Sequence, residues 1–489
     1  MAFGFSEIVE EARLSARALL EFGEGLFSPT VRLGVTGLSR AGKTVFITAL
    51  VHSLLRGGRF PIFEPLAGGR IGAARLEPQP DDAVPRFDYE DHVRTLIDER
   101  RWPASTTDIS ELRLVIDYQR QNGADRRLTI DIVDYPGEWL LDLPLLDKSY
   151  EQWSAESLAL ARQAPRAQLA ADWLDFIGTH DPKAREDEQA TLAATRLFTD
   201  YLRACRNERF AMSLLPPGRF LMPGSLAGSP ALTFCPLDVP ADGTPPDRSL
   251  WAMMRRRYES YKSIVVRPFF RDHFARLDRQ IVLVDALAAF NAGPTALHDL
   301  EAALTGILDC FNIGRGSLWS ALFSPRIDRI LFAATKADHL HRSSHDRLEA
   351  ILRRMVDRAA ARAAATGARI DVVALAAVRA TREAEVQRGG ERLPSILGTP
   401  LAGESAGGET FDGDSEIATF PGDLPTDLDA LFDGADSFRG LSAAPGDDAD
   451  YRFLRFRPPK LERTVDDVPA LPHIRLDRAL QFLIGDQLQ

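Results

Sequence analysis

The sequence predicts an α/β domain built on a mixed, mostly parallel sheet, with a large helical insertion and a small C-terminal β-containing excursion. Three observations carry this expectation. Short apolar runs at 31–36, 280–287, 329–338 and 369–378 alternate with amphipathic helical patterns, as parallel strands covered on both faces do. Two more runs, "LRLVIDYQ" and "LTIDIVDYPGE", flank "NGADRR" and read as a hairpin around an Asn-Gly turn. Between that hairpin and the strand at 280, residues 139–279 have helical rather than strand periodicity.

In chain order, residues 1–30 come first and hold an N-terminal helix, with Ile8, Val9, Ala12, Ala16, Leu19 and Leu20 on one side. Residues 31–138 form the first part of the sheet domain: a buried strand, an apolar-periodic helix over 43–55, a loop-like stretch at 57–85 and the hairpin. The insertion spans 139–279 and is interrupted by "LLPPGRFLMPGSLAGSP". Residues 280–396 return to the sheet, with helices at 295–312 and 345–366. Residues 397–450 are Gly- and Asp-rich and partly ordered, and "FDGDSEIATFPGD" suggests a small hairpin. Residues 451–489 close the chain with an edge strand, "YRFLRFRPP", and a helix, "LDRALQFLIGDQL".

Composition bounds the class. A chain of 489 residues exceeds one ordinary core, so two or three domains are expected. A net charge of −11 argues against a general nucleic-acid binder. Cys205, Cys235 and Cys310 lie far apart, which fits a reduced compartment rather than a disulfide or zinc scaffold. The N-terminus is acidic and amphipathic, unlike a secretory signal, and no apolar run reaches the roughly 18 residues of a membrane span. A cytoplasmic chain is expected.

The chemistry concentrates in three motifs. "GLSRAGKT", from Gly37 to Thr44, matches G-x-x-x-x-G-K-[ST] between a strand and a helix. Its glycines let the N–H groups of Ser39, Arg40, Ala41 and Gly42 curl around an oxyanion, and the helix start at Lys43, Thr44 and Val45 faces the same place. Lys43 brings charge to the outer phosphates, and the Thr44 hydroxyl suits a magnesium shell. In "DIVDYPGE", Asp134 can hold Mg2+ through water, and Gly137 lets its backbone approach a terminal phosphate. In "FAATKADHL", the Asp338 carboxylate accepts from two donors on guanine that adenine lacks, while Lys336 lies along the base and Thr335 ends the strand.

Weaker elements complete the set. "WPASTTD" offers Thr106 or Thr107 to magnesium, and "ALAAVRAT" offers the backbone of Ala376, Ala377 or Val378 to the guanine carbonyl. For catalysis, Glu138 stands directly after Gly137, where an attacking water would be oriented, with Lys43 and Arg40 as the available positive charges. The bland readings are a solvent-facing Arg40, a solvated helix start for His339, His341 and His345, and an acid-paired helix face for Arg255, Arg256 and Arg257.

The phrases "VTGLSRAGKTVFITALVHSLL", "RWPASTTDISELRL", "IVDYPGEWLLDLPLL", "LVDALAAFNAG", "TKADHL" and "PHIRLDRALQFLIGDQL" resemble the YcjX family of bacterial P-loop GTPase-like proteins, the DUF463 group. The resemblance implies a Ras-like P-loop NTPase domain, GTP/GDP as ligand, and nucleotide contacts from Gly37, Lys43, Thr44, Asp134, Gly137, Lys336 and Asp338. It also implies a stress-related role and an inner-membrane protein partner of the YcjF type, met peripherally. The expected function is a slow regulatory GTPase. A non-hydrolysing nucleotide-dependent scaffold and an ATP-using P-loop enzyme are the alternatives.

Overall fold

The computed structural model of the protein describes residues 29–38, 40–311, 327–364, 367–388, 391–432, 437–441, 449–461 and 469–489. The helix expected within 1–30 and the loop residue Ser39 lie outside them. A mostly apolar stretch, interrupted by Arg32, makes β1 (Thr30–Gly37) a strand largely buried on both faces. It pairs in parallel with β4 (Asp125–Asp134) on one side and β5 (Arg279–Val284) on the other. β6 (Arg329–Ala334) and β7 (Arg369–Ala374) extend the parallel half. β3 (Ser110–Gln119) and β2 (Ile71–Glu77) run antiparallel on the far side, giving the order β2-β3-β4-β1-β5-β6-β7. The sheet is therefore mixed and mostly parallel, as an α/β P-loop NTPase requires. The hairpin turns at Gly123, whose φ of 84° needs glycine, with Arg120 N–H donating to Ala124 O at 2.9 Å.

On one face pack α1 (Lys43–Arg56), α2 (Tyr89–Ile97) and α10 (Leu476–Ile484). The other face carries α7 (Ala286–Ala292), α8 (Pro294–Phe311) and α9 (His345–Ala364). The same apolar cluster runs on into the segment between β4 and β5. That segment opens with a 3-10 stretch over Gly137–Asp147 and holds α3 (Tyr150–Ala161), α4 (Ala171–Gly178), α5 (Glu188–Arg206) and α6 (Leu250–Tyr261). Side chains written into the sequence start three of these helices. Ser149 and Gln152 form a capping box on α3, Asp187 accepts from Gln189 and Ala190 N–H on α5, and Ser249 accepts from Ala252 N–H on α6. Aromatic pairs fill the interior: Trp153 stacks on Tyr258 at 5.1 Å and Trp173 on Tyr201 at 5.6 Å. Of the basic run, Arg257 pairs with Glu188 and Arg255 lies 3.8 Å from Glu151, whereas Arg256 is exposed.

The fold departs from expectation in five places. The stretch 57–85, expected as loop, contains β2, whose small residues gain order by pairing with β3 and from Arg75 donating to Asp117 at 2.5 Å. β5, β6 and β7 stop at Val284, Ala334 and Ala374, short of the expected ends, and the chain beyond each turns toward the cavities at that edge of the sheet. The boundary expected at 396 cuts through β9 (Glu391–Gly398), which joins β8 (Arg382–Arg388) and β12 (Ile417–Thr419) in a separate antiparallel sheet. The short hairpin nearby is β10 (Ser405–Ala406) with β11 (Glu409–Thr410), not "FDGDSEIATFPGD". Finally, 451–459 is no edge strand. Its one backbone bridge is Phe456 to Pro400, just past β9, while Leu454 and Phe456 pack against Ile396 of β9 and Arg452, Phe453 and Arg455 line the cavities. Among the described residues, no helix is long and apolar enough to cross a membrane.

One buried acid ties separate parts of the insertion together. Asp142, in the 3-10 stretch, accepts from Gly218 N–H at 2.7 Å and from the Tyr261 hydroxyl at 2.5 Å. Burial pushes its carboxyl up to about 6 from 3.8, against these hydrogen bonds and Arg219. Between those values the folded chain keeps a proton that the unfolded chain has released, so stability is lost as pH rises from about 4 to about 6. Asp142→Asn keeps an acceptor for Gly218 and removes the charge. Urea midpoints measured across this range should show the variant gaining on the parent chain by about 1–3 kcal/mol toward pH 7. Parallel pH profiles would refute the assignment.

Candidate functional site

The phosphate-type loop is shaped by close backbone packing. At the end of β1, a Cβ on Gly37 would meet Leu283 Cβ and O at 2.9 Å, and a Cβ on Gly137 would overlap the Gly37 carbonyl. Glycine is required at both points because neither neighbour is a side chain tip that can swing away. The loop then turns through left-handed residues, Arg40 at φ 61° and Gly42 at φ 84°. Ala41 N–H donates to Leu38 O at 3.1 Å, and Phe46 N–H to Gly42 O at 2.9 Å opens α1. The first N–H groups of α1 therefore point out of the helix toward the loop's concave side.

Arg40, Ala41, Gly42, Lys43, Thr44 and Val45 line a cavity of about 300 Å³. Its opposite walls come from Thr335, Lys336 and Asp338 after β6 and from Ala376, Ala377 and Val378 after β7. Thr335 and Lys336 are held at the strand end: Thr335 N–H donates to Val284 O at 2.9 Å, and the Lys336 ammonium pairs with Asp285. Asp338 is 4 % exposed. Its Oδ2 accepts from Ala380 N–H at 2.7 Å, and its carbonyl accepts from the Thr381 hydroxyl, so the carboxylate has a fixed direction. Ala376 N–H is taken by Ile474 O at 3.1 Å. Among the described residues, the N–H groups of Ala377 and Val378 have no protein acceptor.

Beneath Lys43 sits a polar corner. The Thr106 hydroxyl donates to Asp134 Oδ2 at 2.6 Å and lies 3.2 Å from the Thr44 hydroxyl. Burial pushes the Asp134 carboxyl above its usual range, opposed by the Lys43 charge and the Thr106 hydrogen bond. Its Oδ1 is buried without a partner among the described residues. Two hydroxyls and one carboxylate whose Oδ1 is unmatched fit a hard divalent cation, whose charge would relieve the burial cost. Thr107, the other threonine considered, is exposed and joins none of this.

Of the three expected catalytic groups, Lys43 and Arg40 line the cavity and Glu138 does not. Glu138 is buried at 5 % exposure and outside the cavity, with Arg206 of α5 at 3.7 Å. Arg40 lines the cavity but is ion-paired with Glu208, which also pairs with Arg455. The histidine at the start of "HLHRSSH" is not solvated either. His339 is buried, lines the cavity and meets the Phe456 ring edge-on at 5.4 Å, and burial lowers its pKa. Sequence reasoning missed Trp102, Leu401, Arg455 and Phe456, which complete the walls. Trp102 Nε1–H donates to Phe456 O at 2.6 Å, joining residues 354 positions apart. The only local signal for them is aromatic and apolar residues inside otherwise polar loops.

Two substitutions test this geometry in the ligand-free chain. Thr106→Ala leaves Asp134 buried with its hydroxyl donor gone and should cost about 1–3 kcal/mol in urea unfolding. Thr107→Ala should stay within about 0.5 kcal/mol. Equal effects would contradict the placement of Thr106.

The profile of the YcjX-like family, DUF463, matches residues 31–488. The "Ras-like GTPase YcjX" of Escherichia coli (strain K12) is 38% identical over 483 residues, which cover 94% of this chain and 96% of that protein. The "Ras-like GTPase YcjX" of Shewanella oneidensis is 34% identical over 488 residues, covering 94% of this chain and 95% of that protein. With its α/β sheet, its glycine-packed loop and this near full-length similarity, the chain belongs to the YcjX-like family.

Proposed function

We propose that the protein binds guanine nucleotides with Mg2+ and hydrolyses GTP slowly, its two phosphate states serving as a conformational switch. One observation supports this above the others: a single cavity is lined by the phosphate-type loop, by Thr44 and Thr106, and by the immobilised Asp338, with Asp134 buried behind the lining and hydrogen-bonded to Thr106. Names of the relatives point the same way. Lys43 and the N–H groups at the head of α1 would take the phosphates. Thr44 and Thr106 would reach Mg2+ directly and Asp134 through water, and the metal would supply charge neutralisation at the phosphates. An acceptor-only carboxylate at Asp338 suits guanine's paired ring N–H and amino donors and is left mismatched by adenine.

Slow turnover is the expected consequence of two side chains. Glu138 is turned into the insertion toward Arg206, and Arg40 is held by Glu208, so neither stands ready to orient or stabilise at the outer phosphate. Turnover without a partner should therefore lie on the order of 10⁻⁴ to 10⁻² s⁻¹. The same two side chains favour the second reading, a nucleotide-dependent scaffold that does not hydrolyse.

Titration with fluorescent GDP, GTP and ATP, then phosphate release with Mg2+, tests the proposal. Asp338→Asn should weaken GDP binding about 10–100-fold and shift preference toward xanthine nucleotides. Lys43→Ala should weaken GDP and GTP alike. Equal binding of ATP, or an unaltered base preference in Asp338→Asn, would overturn the guanine assignment. Binding of GTP without any phosphate release would leave the scaffold.

A further inference from the structure

A second cavity, of about 370 Å³, adjoins the first. Most of its lining comes from the loop at Leu38 and Arg40, residues 206–213 from the end of α5 onward, residues 285–291 at α7, and residues 452–455. It shares Arg40, Lys336, His339 and Arg455 with the first cavity. The divider is an ion triad in which Glu208 pairs with both Arg40 and Arg455.

The lining is strongly one-sided in charge. Arg40, Arg206, Arg209, Arg452, Arg455 and Lys336 face only three carboxylates, Glu208, Asp285 and Glu404. Those acids are already committed: Glu208 and Glu404 to Arg455, with Glu208 also to Arg40, and Asp285 to Lys336. Arg209 and Arg452 rest on neutral oxygens instead. Arg209 Nε donates to Leu441 O at 3.2 Å, and Arg452 donates to Ser405 O at 3.1 Å and Ser405 Oγ at 3.2 Å. Among the described residues, neither has a carboxylate partner. The floor is apolar, with Leu287, Leu300 and Phe453. Low-dielectric walls focus the field of the unneutralised guanidiniums into the space between them.

In a chain of net charge −11, such a concave cationic surplus is a local feature and not a reflection of composition. A small anion bearing several charges would give Arg209 and Arg452 the charged acceptors they lack, through paired N–H···O contacts. We propose that this cavity is a second ligand site that takes a small polyanion, phosphate- or carboxylate-based, next to the nucleotide site and walled from it by the Arg40–Glu208–Arg455 triad. The ligand's charge would act on both sides of the wall, since Arg40 and Arg455 belong to each cavity.

Calorimetric titration of the full chain, saturated with GDP and Mg2+, tests this with inorganic pyrophosphate in one arm and citrate in the other. GDP retention is measured on the same samples, which separates a failure of the nucleotide assignment from a failure here. The expected result is saturable binding of at least one of the two anions, weakened about tenfold or more in Arg209→Glu/Arg452→Glu. The arm that binds tells phosphate from carboxylate chemistry. Arg196→Glu, at an exposed arginine of α5, should leave binding unchanged. No saturable binding in either arm, binding unaltered in the double variant, or equal weakening in Arg196→Glu would each overturn the proposal.

Discussion

Gly37 and Gly137 meet backbone against backbone, and no side chain fits between them. Much of the molecule's arrangement depends on that contact. It presses the end of β4 onto the loop that leaves β1, which brings the Asp134 carboxylate under Lys43 and beside Thr106. One residue further, a Cβ on Gly218 would overlap the Glu138 carbonyl, so the insertion is packed as tightly on Glu138 as Glu138's neighbour is on the loop. Two successive glycine contacts thus run from the phosphate-type loop into the helical region. Asp142 continues the connection by receiving the Gly218 N–H and the Tyr261 hydroxyl. A loop so fixed cannot shift without moving the helices packed beyond it.

The parts legible in the sequence are those that a short stretch encodes by itself. β1 shows as an apolar run, the hairpin as Asn122-Gly123, and the loop as glycines at set spacing from Lys43. Most of the residues singled out from spacing alone, from Arg40 to Val378, lie on the walls of one cavity together with Thr106. The hidden parts depend on distant partners. β2 is a weak strand former that exists because β3 offers it an edge. The direction of Glu138 is decided by Arg206, and that of Arg40 by Glu208, neither of which spacing can bring near. His339 reads in the sequence as one of three solvated imidazoles because its own helix start is polar. The ring of Phe456, far along the chain, is the group that covers it.

The C-terminal segment is therefore more than an appendage to the sheet. Trp102 holds the Phe456 carbonyl, Arg455 reaches Glu208 on the insertion, and the Ile474 backbone pairs with Ala376 beside the base wall. α10 lies on the sheet face next to α1 and fills core positions with Leu476, Leu480 and Leu483. These long-range contacts around the cavity thus converge on residues translated late.

Vectorial synthesis gives that convergence a temporal meaning. A nascent chain can build its strands, its loop and its insertion while still tethered to the ribosome, yet its cleft stays open along one side until position 456 has emerged. A polypeptide cut short of position 456 would leave that side of the cavity without its wall.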